Sequence, residues 1–94
     1  MSKKSTTTID EQITQKREEF TQAQITQTTA YSEYMKVMKA KLIVSEGETE
    51  KIQKLDKQMF DHFTTYQHAL EDAQKLLLEL SDLEAQKYLE DLLP

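Results

Sequence analysis

An all-α, elongated antiparallel helical hairpin is the fold class this sequence predicts, and three observations carry it. One glycine and one proline in 94 residues leave almost no turn chemistry for a β-sandwich or barrel. Apolar residues recur by threes and fours through both halves of the chain, the spacing of one helical face. The chain is 37% hydrophobic and 31% charged, while a globular domain is usually about 45–50% apolar. Its apolar residues must therefore be well aligned on each helix, or covered by a partner.

The elements follow in order. Residues 1–8 read as a flexible polar tail, and 9–94 as a single helical domain. Thr8-x-x-Glu11 has the form of a capping box, in which each side chain satisfies the other residue's free backbone N–H. A helix over about 9–44 follows, with Ile9, Ile13, Phe20, Ala23, Ala30, Tyr34 and Val37 on one stripe. Its first half is weak: residues 5–29 hold eight Thr and five Gln, and the β-branch of Thr lowers helix propensity. That half needs a surface to fold against. From Tyr31 onward the stripe broadens to take in Met35, Met38 and Leu42.

A turn is expected at 45–49, with Gly47 free to adopt φ > 0 past the helix end. Ser45-x-x-Glu48, or Thr49 alone, would cap the next helix. The phase supports a break there. The first stripe, at 23, 30, 37 and 44, would next fall on 51, whereas the second opens on Ile52. A helix over about 50–80 then carries a core seam of Met59, Phe63, Tyr66, Leu70, Ala73, Leu77 and Leu80, pairing with Tyr34 and Val37. Ser81-x-x-Glu84 repeats the capping-box pattern between Leu80 and Ala85, so a short third helix is expected over about 82–92.

Charge excludes some functions. Twelve Lys+Arg against seventeen Asp+Glu give −5, which argues against a nucleic-acid binder with a dominant basic surface. Residues 71–94 carry the whole of that net charge, while 1–70 balance. A solvated face accounts for this. The sharper reading is an acidic end that steers a basic partner. Lys36, Lys39, Lys41, Lys51, Lys54 and Lys57 make the turn end mildly basic, so two antiparallel copies would bring unlike ends together.

Catalytic constellations are not found, and no enzyme activity, cofactor, metal or small-molecule substrate is expected. There is no cysteine. His62 and His68 are six apart, on different helix faces, and form no H-E-x-x-H or Glu-x-x-His pattern. No Gly-rich loop cradles phosphate, no G-x-S-x-G places a nucleophile, and Arg17 is the single arginine. The longest apolar runs, Leu42-Ile43-Val44 and Leu76-Leu77-Leu78, are far short of the roughly 20 residues that span a bilayer. Met1-Ser2-Lys3-Lys4 leads into Ser and Thr, not into the apolar stretch of a signal peptide. A cytoplasmic location is expected, with secretion lacking a cleavable signal still open.

Four apolar residues lie outside the expected seam: Phe60, Leu76, Leu78 and Leu83. Leu76 to Leu78 cover about 200° of the helix at 100° per residue, more than one neighbouring helix buries. Either the third helix folds back over Leu76 and Leu83, or these residues bind a partner. The partner is then a second copy, giving a homodimeric four-helix bundle, or a different protein. Met35, Met38 and Met59 serve equally as core filler or as an adaptable patch.

The Thr/Gln-rich first helix, the turn Ser45-Glu46-Gly47-Glu48-Thr49 and the heptad second helix together resemble the W-x-G family of small helical hairpins of type VII secretion. Leu70-Glu71-Asp72, then Leu77-Leu78, Leu80 and Asp82, look like that family's second-helix pattern. Ser45 stands where the family has Trp, and Tyr88 is followed four residues later by Leu92 instead of an acid. The resemblance implies an exported hairpin that acts as a dimer or as partner of a larger secreted effector. The residues themselves predict a non-enzymatic protein–protein interaction module, an adaptor or chaperone-like hairpin.

Overall fold

The computed structural model of the chain describes residues 8–93. The tail expected over 1–8 lies, apart from Thr8, outside the described residues. Two helices account for the fold: α1, Ile9–Ile43, and α2, Thr49–Leu92. They lie antiparallel in one long hairpin of 72 × 29 × 13 Å, with a radius of gyration of 20.8 Å. A compact chain of this length would measure about 12 Å.

The α1 start is the capping box read from sequence. The Thr8 hydroxyl accepts from the Glu11 N–H at 3.1 Å, and the Glu11 carboxylate accepts from the Thr8 N–H at 3.0 Å. That bond holds the Glu11 carboxyl below its usual range. α1 ends at Val44, whose N–H donates to the Lys41 carbonyl.

The turn differs from expectation in two ways. Gly47 does not have positive φ, and a Cβ built on it would meet nothing within 4 Å. Neither expected cap forms: Glu48 precedes α2 without a side-chain cap, and the Ser45 carbonyl instead accepts the Glu48 N–H at 3.0 Å in a tight turn. Gly47→Ala should therefore stabilise the chain by about 0.4–1 kcal/mol, by restricting only the unfolded state. Thermal melts followed by circular dichroism check this, and a lower Tm would show that the turn does need glycine.

The third helix is corrected as well. α2 runs unbroken through Ser81 to Leu92. No glycine or proline interrupts it, and its seam continues through Leu80, Leu83 and Lys87 onto α1. Two ion pairs fasten the stretch: Arg17 to Glu84 at 2.7 Å and Lys87 to Asp10 at 2.8 Å. Ser81 and Asp82 simply sit exposed on a continuous helix.

Burial defines the seam. On α1 and its cap the covered positions include Ile9, Ile13, Lys16, Phe20, Ala23, Gln27, Ala30, Tyr34, Val37, Lys41 and Val44, alternating by four and three, with Glu19, Glu33, Met35, Met38 and Ala40 half-buried beside them. On α2 they include Ile52, Leu55, Met59, His62, Tyr66, Ala69, Ala73, Leu76, Leu80, Leu83 and Lys87, alternating by three and four. Both are a/d seams of heptad repeats. Four cross-helix contacts share one register, since in Tyr31–Tyr66, Tyr34–Phe63, Lys41–Asp56 and Asp10–Lys87 the two numbers add to 97, while the long side chains of Lys16–Glu79 and Arg17–Glu84 reach along the seam from it.

The core is thin. Among the described residues Ile13, Ala30, Ala69, Ala73 and Leu80 are buried, and no large side chain is fully enclosed. Alanines at the contact let the helices approach closely but bury little area.

Candidate interaction surface

Heptad position separates the two faces of the hairpin. Taking Ile13 and Ile52 as a positions, the e and b positions of both helices form one face, here the front, and g and c form the back. The ion pairs mark both. Arg17–Glu84 joins two e positions on the front, and Lys16–Glu79, at 2.9 Å, reaches a g position on the back.

The front face is uncharged over most of its length. Between Thr21 and Leu42 on α1 its e and b positions read Thr21, Gln24, Thr28, Tyr31, Met35, Met38 and Leu42. Between Phe60 and Ser81 on α2 they read Phe60, Phe63, Gln67, Leu70, Gln74, Leu77 and Ser81. The same stretches of the back face hold Glu33, Lys36, Asp61, Asp72, Lys75 and Glu79. Charge is sorted by face in a chain that is nearly one-third charged.

Four rings cluster at mid-length, Tyr31 and Phe63 on the front and Tyr34 and Tyr66 in the seam beneath them. Tyr31 meets Tyr66 at 5.5 Å between ring centroids and Tyr34 meets Phe63 at 5.6 Å, each pair crossing the helices. Tilted contacts of this kind exceed simple area burial by about 0.5–1.5 kcal/mol. Tyr31 stays 49% exposed and Phe63 40%, so the cluster fastens the hairpin while presenting ring area outward.

The residues singled out from sequence divide between these settings. Phe60 and Leu78 are 70% and 69% exposed; Phe60 is on the front and Leu78 on the outer flank of α2. Leu76 and Leu83 are half-buried d positions against α1. Of the expected seam, Ala73 and Leu80 are buried, and Met59, Tyr66, Leu70, Tyr34 and Val37 are half-buried. Phe63 and Leu77 open onto the front, Leu77 at 48% exposure. The expected seam leaves out His62 and Ala69, which take the contact positions beside these residues. Sequence reasoning passed over Thr14, Thr21 and Thr28, seven apart on the front of α1, whose shared spacing was the available signal.

The back face holds a shallow groove of mixed lining, with Ala23, Ala69 and Leu76 at its floor beside Glu19, Asp72 and Lys75. Its hydrogen bond to Glu79 raises the Lys16 ammonium above its ordinary value, and the same bond holds the Glu79 carboxyl low. Lys87 is raised by its hydrogen bond to Asp10. A lowered carboxylate stabilises the fold above its unfolded value, about 4.3, and the gain is lost as pH falls through the folded value. A raised lysine stabilises below about 10.4, and that gain is lost as pH rises through its folded value. Tm should therefore be level between about pH 5 and 10 and fall on either side. A Tm that shifted between pH 6 and 9 would contradict this.

Among the described residues no group of three or more His, Asp or Glu side chains is arranged to hold a metal, and no helix is long and apolar enough to cross a membrane. No family model, curated protein or solved structure matches this chain. The functional reading rests on its own residues.

Proposed function

We propose that this chain is a non-enzymatic protein–protein interaction module, an adaptor or chaperone-like hairpin that docks through its front face and completes a four-helix bundle with a protein partner. One observation carries the reading. Small and polar residues such as Ala69, Ala73 and His62 take the contact between the helices, while Phe60, Phe63 and Leu77 are left on an uncharged face. Depletion of charge around aromatic and aliphatic anchors is the composition of an interface core. The test compares tagged full-length protein with its Leu77→Glu variant in capture from native cells. A protein bound stoichiometrically, or a second copy, should be retained by the first and lost from the second at equal helicity. Equal recovery by both would refute the docking role of this face.

An exported hairpin resembling the W-x-G family is the second reading. The observation that favours it is the pairing of two long helices through a turn at 44–48, where that family's turn falls. Intact protein in culture medium without lysis is the expected result, and strict retention in cells would remove it.

A further inference from the structure

We infer that the occupant of the front face is a second copy of this chain, laid antiparallel about an axis near Tyr31 and Tyr66. The inference rests on the docking reading above and names its partner. Two observations carry it.

The first is area. In a hairpin of 72 × 29 × 13 Å the front is one of the two broad faces, large enough for the roughly 800 Å² per partner that a stable interface buries. A two-fold pair needs a surface complementary to itself. The front is suited to that, because a face without charge meets its own copy without placing like charges together.

The second is charge outside that face. Residues 71–94 hold the full −5, whereas residues 27–70 balance six lysines with six acids. Copies pointing the same way would set two acidic ends side by side. Opposed copies set each acidic end beside a stretch of zero net charge. Like-charge juxtaposition is costly and steers orientation. The uncharged stretch of the front runs from the level of Leu77 to Leu42, with Tyr31 midway, and this locates the axis; Tyr88, also exposed on the front, lies beyond it at the charged end with Asp10, Arg17 and Glu84.

The experiment is sedimentation equilibrium on the full chain, followed by distance measurement between spin labels. The wild-type chain should be a dimer at tens of micromolar. Phe60→Glu with Leu77→Glu should weaken association by about 100-fold or more, with helicity kept because both residues lie off the seam. Gln58→Glu on the back face should stay dimeric. The chain has no cysteine, so Ser45→Cys gives one label per copy at the turn. Antiparallel copies place these labels about 40 Å apart, at 1.5 Å per residue on either side of the axis. Labels within about 20 Å would overturn the orientation, and a monomer at every concentration would overturn the inference. If the monomeric chain still captured another protein through Leu77, the docking reading would stand without it. Loss of both would end both.

Discussion

Leu76→Glu should unfold the hairpin, whereas Leu77→Glu, one residue along, should leave it helical and unable to assemble. Leu76 is a half-buried d residue against α1, and its neighbours one turn away on either side are Asp72 and Glu79. Glutamate there forfeits part of the about 1.5–3 kcal/mol that full burial of a leucine contributes, leaves a charge half-desolvated against α1 and adds a third acid to the same strip. A hairpin whose buried core is five of the described residues, three of them alanine, has little stability to spare. Leu77 is 48% exposed on the front face, so glutamate at 77 stays hydrated in the lone hairpin and is penalised only when the face is covered. Circular dichroism and sedimentation separate the two variants. Helicity retained by Leu76→Glu would mean that the seam runs through Leu77 instead.

The second large effect is expected from Leu80→Ala. Leu80 is the one large α2 side chain that reaches burial, at 7% exposure. Its truncation should cost about 2–5 kcal/mol, through lost transfer energy and the cavity left behind. The loss falls on the free end of the hairpin, where α1 is rich in Thr and Gln and depends on α2 for its order. Amide exchange should therefore accelerate first in residues 9–25, with the Tyr31–Tyr66 region following. Uniform acceleration along both helices would show that the two ends are not separable.

Much of the fold was legible because helical punctuation is local. The Thr8–Glu11 box, the phase break between Val44 and Ile52 and the α1 stripe all depend on residues within a turn or two of one another. The α2 seam was harder for a specific reason. Met59, Tyr66, Ala73 and Leu80 belong to two alternations at once, one through Phe63, Leu70 and Leu77, the other through His62, Ala69, Leu76 and Leu83. Hydrophobicity favours the first, but burial against α1 selects the second. Close helix approach favours small side chains at the contact, and the pattern alone does not say which flank faces the neighbour. Ser81-x-x-Glu84 misled in the opposite sense: a capping pattern ends a helix only where the backbone leaves helical geometry, and here cross-helix ion pairs hold it in place. The front face was legible only in part. Phe60 and Leu78 stood out as unpaired, but the sorting of charge between faces emerges only once both helices share a register.

Docking through the uncharged front face requires that face to be covered when the protein is at work. The most direct measurement is thiol labelling in native cells of two single-cysteine variants, Gln24→Cys and Gln22→Cys. Both positions are exposed in the lone hairpin, two residues apart, the first on the front and the second on the back. Slow labelling at 24 with fast labelling at 22, equalised by denaturant, is the predicted result. Equal rates at the two positions in the native protein would contradict it.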